Sequence, residues 1–187
     1  MQKAVIISAP SGAGKTSVVR CLLEKEAGLE FSISATSRQK RSGETDGKDY
    51  FFITAGEFRK KIDAGEFLEW EQVYPGIYYG TLRSEIERIW NNRKTAVFDV
   101  DVKGGVNLKS HLGRHALSIF IKVRDFETLG QRLRDRKTES EGSLKTRLEK
   151  AAYEMTFENR FDAVVINDNL ESACDEVYNK VRNFLIT

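Results

Sequence analysis

Proline, cysteine and histidine are scarce in this chain, with two of each among 187 residues. With so few prolines, no low-complexity tract and no internal repeat, no linker divides it, and the length suits one domain with small subdomains. Cys21 and Cys174 make no CxxC pair and no metal-ligand spacing, so the expectation is two reduced, buried thiols in a cytoplasmic protein. His111 and His115 stand at i, i+4, the spacing of a helical metal pair. Gly113 falls between them in a loop-like stretch, however, and both read as surface side chains. No apolar run approaches the roughly 18–20 residues of a membrane span. Residues 1–8 are apolar too briefly for a signal peptide and run straight into a Gly-rich loop. Charge of one sign is also missing: Lys+Arg 30 against Asp+Glu 28 leaves +2. No general field therefore marks a nucleic-acid or membrane binder, and any recognition of anions must be local. The sequence leaves open whether the chain is a monomer or a homo-oligomer.

What is present supports a packed core, with 40% hydrophobic and 10% aromatic residues. The short apolar runs at 4–8, 96–100, 117–123 and 163–166 read as buried strands. Helical patterns separate them. Leu82, Ile86, Ile89 and Trp90 fall at i, i+4, i+7 and i+8, and Leu144, Leu148, Ala151, Ala152 and Met155 keep similar spacing. Leu170, Ala173, Cys174, Val177, Val181 and Leu185 form a last stripe. Strands alternating with helices imply a parallel sheet covered on both faces, hence an α/β fold. Two regions break the rhythm. Residues 32–79 are polar, Gly-punctuated and aromatic, and read as an inserted β-rich subdomain with one short helix near 56–64. Residues 132–147 are charge-dense, carry Gly142-Ser143 between two helical patterns, and read as a mobile flap with few apolar anchors.

The strongest local signal is Ala9-Pro10-Ser11-Gly12-Ala13-Gly14-Lys15-Thr16, which follows a strand and opens a helix, as a P-loop must. Gly12 and Gly14 let successive N–H groups aim at phosphate oxygens, and the helix N-terminus adds partial positive charge. Lys15 would bridge the outer phosphates, and the Thr16 hydroxyl would coordinate Mg2+. Ala9 stands where such loops usually begin with Gly, at little cost if its φ is negative. Asp99 and Asp101 sit in Val97-Phe98-Asp99-Val100-Asp101-Val102, where strand alternation would point both to one side. Asp99 is the expected acidic partner of Mg2+.

A second constellation begins at Thr36-Ser37-Arg38-Gln39-Lys40-Arg41-Ser42-Gly43-Glu44 and continues through Gly47-Lys48-Asp49-Tyr50-Phe51-Phe52. Glu66-Phe67-Leu68-Glu69-Trp70, Tyr78-Tyr79-Gly80-Thr81, Asp99-Val100-Asp101 and Asn167-Asp168 follow. With the phosphate loop, taken together and in order, these stretches resemble guanylate kinase over essentially the whole chain.

That resemblance implies a P-loop three-layer α/β fold with a parallel central sheet. The core would comprise residues 1–31, 85–124 and 151–187, the inserted β-rich GMP-binding subdomain 32–84, and a helical lid 125–150. It implies ATP as donor, Mg2+ as cofactor and GMP as acceptor. Arg38, Arg41, Tyr50 and Tyr79 would hold the GMP phosphate, which suits the planar fork of Arg and the rigid hydroxyl of Tyr. Glu69 would accept from the guanine N1–H and 2-amino groups, with Ser34, Thr81 and Asp101 completing the base pocket. Arg132, Arg136 and Arg147 would clamp the transferring phosphoryl group, and Asn167 and Asp168 would meet the adenine. The chain departs from the usual family text at Lys40, Lys103 and Lys137. It also has an apparently longer connection, Tyr74-Pro75-Gly76-Ile77, which selects Tyr79 rather than Tyr78 for phosphate. Two alternatives remain at this point: an inactive guanylate-kinase-like binding module, and a kinase with another phosphorylated acceptor.

Overall fold

The structure, a computed structural model, describes residues 2–135 and 141–187, and the side chains of all of these except 135 and 141–144. Strand β1 (Ala4–Ser8) is buried along its whole length and forms the middle of a five-stranded sheet. Its neighbours are β7 (Thr95–Asp99) and β8 (Ala116–Lys122), with β2 (Leu29–Phe31) and β9 (Ala163–Ile166) at the edges. Every pairing in this sheet is parallel, so helices must carry the chain back between strands.

Side-chain alternation divides the core into two layers. Val5, Ile7, Val97, Ile119 and Val165 face α1 (Lys15–Lys25) and α7 (Leu170–Ile186). Ala4, Ile6, Ala96 and Phe98 face α3 (Arg83–Asn91) and α4 (Val102–Leu112). This is the three-layer α/β arrangement the sequence predicts. The insertion forms a separate four-stranded sheet from β3 (Ala35–Thr36), β4 (Phe51–Phe52), β5 (Phe67–Tyr74) and β6 (Ile77–Leu82), in the order β4-β3-β6-β5. Helix α2 (Ala55–Asp63) begins with a capping box between Thr54 and Glu57 and buries Phe58 against Phe67, ring centroids 4.2 Å apart.

Three sequence expectations change. First, the strand around Val97 ends at Asp99, and Asp101 is instead the N-cap of α4, its Oδ1 accepting from the Gly104 amide at 2.8 Å. The β-branched run suggests strand, but aspartate is also among the favoured N-cap residues. Second, α5 (Phe126–Asp135) and α6 (Glu141–Met155) flank residues outside the description, and Gly142-Ser143 falls within the first turn of α6 rather than between helices.

Third, Cys21 and Cys174 are joined in a disulfide between α1 and α7, Cα atoms 6.2 Å apart, not held as two free thiols. The two helices pack side by side on one face of the sheet and bring together residues 153 positions apart, a pairing that no local spacing could reveal. Closing so long a loop constrains the unfolded chain by about 5 kcal/mol in the chain-entropy picture, of which bridges typically deliver about 2–4 kcal/mol. Reduction, or Cys174→Ser, is therefore expected to lower the melting temperature by roughly 5–15 °C. Thermal melts with and without reductant check this, and coincident curves would show that the bridge contributes nothing.

Candidate active site

The loop between β1 and α1 is shaped by two left-handed glycines, Gly12 at φ 94° and Gly14 at φ 86°. At Gly14 a Cβ would also lie 2.4 Å from the Asn167 amide nitrogen, so a side chain is excluded on both counts. Asn167 is buried and donates to the Ala13 carbonyl at 2.7 Å, which braces the loop from behind. Asp168 accepts from the Arg124 amide at 3.0 Å, and Arg132 donates to the Asp168 carbonyl at 3.3 Å. Arg147 lies on α6, Arg136 lies outside the described residues, and Lys137 does too.

Lys15, at the start of α1, is held by two oxygens at the end of β7. Its ammonium lies 2.5 Å from Asp99 Oδ1 and donates to the Val100 carbonyl at 2.8 Å. The Thr16 hydroxyl stands 3.5 Å from Asp99 Oδ2. The loop, Asp101 and Glu154 enclose a cavity of about 270 Å³.

A second cavity, of about 330 Å³, shares Lys15 and Asp101 with the first and extends between the two sheets past Ser34, Tyr50, Glu69 and Tyr79. Glu69 lies on β5 and is 8% exposed. Burial pushes its carboxyl up to about 7, opposed by a hydrogen bond from Thr81 and reinforced by the charge of Asp101. Thr81, directly across on β6, donates its hydroxyl to Glu69 Oε1 at 2.8 Å, so it orients the acid from behind. Tyr79 faces the cavity, whereas the neighbouring Tyr78 stacks on Phe58.

Arg38 donates through Nε to the Tyr79 hydroxyl at 3.0 Å, and its guanidinium carbon lies 5.0 Å from the Tyr50 ring centre. Its two terminal nitrogens grip Glu44 at 2.7 and 2.6 Å. That bidentate pair holds Glu44 at about 2, well below the usual carboxylate range, with help from the Arg41 amide. Arg41 itself is exposed and lines neither cavity. In the sequence Glu44 shows only as part of the motif, six residues after Arg38, and Glu154 leaves no local signal.

A phosphate loop at a strand end that opens onto a second cavity with a guanidinium–tyrosine corner and a buried acid is the architecture of a phosphate-loop kinase with a small-molecule acceptor. The guanylate kinase family model matches residues 1–184, and the chain belongs to that family. It is 46% identical to a guanylate kinase of Bacteroides thetaiotaomicron over 98% of this chain and 90% of that one. It is 44% identical to one of Porphyromonas gingivalis over 99% of each. The crystal structure of guanylate kinase from Anaplasma phagocytophilum matches with TM-score 0.77 at 29% identity, covering 97% of this chain and 85% of that one. A shikimate kinase from Bacteroides thetaiotaomicron, at 13% identity and TM-score 0.53, shares the fold alone.

Proposed function

We propose that this enzyme transfers the γ-phosphoryl group of ATP to GMP, giving ADP and GDP by direct in-line displacement. The observation that carries the reading is the meeting of the two cavities at Lys15 and Asp101, which lets a donor on the loop and an acceptor beside Glu69 face each other. In this reading residues 32–84 form the acceptor-binding subdomain and residues 125–150 the lid. The loop from Ala9 to Thr16 cradles the donor phosphates. Arg38, Arg41, Tyr50 and Tyr79 take the acceptor phosphate, while Glu69, Ser34, Thr81 and Asp101 form the base pocket. The acceptor oxygen is already ionised, its second pKa being about 6, so no general base is required. Positioning and charge neutralisation remain, supplied by Lys15 with Arg132, Arg136 and Arg147.

The hard oxygens of Thr16 and Asp99 beside the phosphate loop suit Mg2+, which takes one or two protein ligands and fills its shell with phosphate oxygens and water. Among the described residues no group of three or more acidic, His or Cys side chains is placed to hold a metal ion. When bound, the ion would supply charge neutralisation to the transferring group. No described helix is long and apolar enough to cross a membrane. We place the enzyme in the cytoplasm, where the Cys21–Cys174 pair would meet a reducing environment and the bridge would be open to reduction.

ADP release measured with GMP, IMP, AMP, CMP and UMP tests the assignment. GMP is expected to exceed AMP by at least about a thousandfold in kcat/KM. IMP, which keeps the N1–H but lacks the 2-amino group, is expected to fall between them. Equal use of AMP would reassign the acceptor, and no ADP with any acceptor would return the chain to the class of binding modules.

A further inference from the structure

Ser11 stands at the mouth of the phosphate loop, and its amide N–H needs an acceptor that the loop itself does not offer. Pro10 has no N–H to give, and the Ala13 amide closes the turn by donating back to the Pro10 carbonyl at 3.2 Å. The Ser11 amide points sideways and donates at 3.1 Å to Oε2 of Glu154, which lies 143 residues later on α6. Glu154 is only 4% exposed, yet it forms part of the wall of the cavity that the loop encloses.

A buried carboxylate is a poor choice for the wall of an anion site unless its hydrogen bond has a task. Three charged groups set its surroundings. Lys150, one turn earlier on the same helix, brings its ammonium to 3.7 Å. Lys15 on α1 adds attraction and Asp101 ahead of α4 adds repulsion, with Asp99 at the far side of Lys15. Burial pushes the Glu154 carboxyl above its ordinary range, and the Lys150 charge and the Ser11 amide hold it down.

The helix gives this contact its reach. Residues 147, 150, 151 and 154 recur at i, i+3, i+4 and i+7, so they share one face. Ala151 and Glu154 are buried, which turns their side of that face inward and leaves Lys150 at its exposed edge. Arg147, expected to act on the transferring phosphoryl group, thus rides on the same stripe as the acid that grips the loop.

We propose that Glu154 is a positioning residue of the donor site: from α6 its carboxylate fixes the Ser11 amide and so holds the mouth of the phosphate loop in register with the segment expected to close over it. The proposal rests on the reading that this loop binds the phosphates of ATP. Steady-state kinetics of Glu154→Ala and Glu154→Gln, with each nucleotide varied in turn, test it.

Glu154→Ala is expected to raise the KM for ATP at least about tenfold, the scale of a lost hydrogen bond to a charged group, while the KM for GMP stays within about twofold. Glu154→Gln keeps an acceptor oxygen at the same place and is expected to bring the ATP KM back to within about threefold of the parent. Should Glu154→Ala not fold, Glu154→Met fills the same volume without an acceptor and carries the same expectation. Parent-like ATP kinetics in Glu154→Ala, or equal losses for both nucleotides that Gln does not rescue, would overturn the proposal. A parent enzyme with no saturable dependence on ATP would instead overturn the donor-site reading on which it rests.

Discussion

Replacing Lys15 with methionine is expected to lower kcat by about a hundred- to a thousandfold while GMP binding stays within about threefold of the parent. The ammonium is held between Asp99 Oδ1 at 2.5 Å and the Val100 carbonyl at 2.8 Å, where the two cavities meet. Those oxygens fix it without satisfying it, because an ammonium has three N–H donors and two are used. In the proposed reaction the third would follow charge onto the phosphoryl group as it leaves the donor. Methionine matches the reach and keeps the apolar stem packed, so the loss is one of charge and donors rather than shape. It also leaves the largely buried Asp99 without its cation, so a small drop in melting temperature should accompany the kinetic loss. Turnover assays and calorimetric titration with GMP separate the two effects. A GMP affinity that falls in step with kcat would move Lys15 from the donor loop to the acceptor site, and a kcat within tenfold of the parent would deny it the central role.

The phosphate loop could be read from the sequence because its chemistry is local: the glycines, the lysine and the threonine are consecutive and must bend one way. The parallel core was legible for a similar reason, since strands buried on both faces leave continuous apolar runs such as Ala4–Ser8. The three-residue edge strand Leu29–Phe31 was too short to leave a pattern. The inserted sheet was visible only as a change of texture. Its strands β3 and β4 are two residues each and exist through pairing with partners, not through propensity.

What escaped the sequence was almost wholly non-local. The Cys21–Cys174 bridge exists because α1 and α7 are neighbours, whereas the Asp101 cap is the local exception, three residues from Gly104 and hidden in a β-branched run. Glu154 matters because α6 returns beside a loop that was built 143 residues earlier. Tyr78 and Tyr79 show the opposite case: adjacent residues on a strand must face opposite ways, so one packs on Phe58 and the other reaches the cavity.

Glu69→Gln is expected to erode the preference for GMP over AMP by about a hundred- to a thousandfold in kcat/KM. An ionised carboxylate offers two acceptor oxygens to the N1–H and 2-amino groups of guanine. A carboxamide offers one acceptor and turns an NH2 donor toward a second donor, while adenine, with an acceptor at N1, loses less. The pH dependence carries an independent signature. Burial raises the Glu69 carboxyl to about 7, so the free enzyme holds it protonated below that pH and ionised above it. In the proposed base pocket guanine recognition needs the ionised form, so kcat/KM for GMP should rise as pH climbs through about 7 and then level off; Glu69→Gln should lose that step. Stability should move the other way. Because the folded-state pKa lies above the unfolded value of 4.5, the folded protein loses stability as pH rises from 4.5 toward 7 and carries the full penalty above it. The glutamine variant has no such charge to bury and should melt roughly 5 °C higher than the parent at pH 8. An unchanged nucleotide ratio together with an unchanged pH profile would remove Glu69 from the base pocket. Greater stability combined with lost discrimination would identify it as an acid kept buried, at a cost to the fold, for the sake of reading a purine.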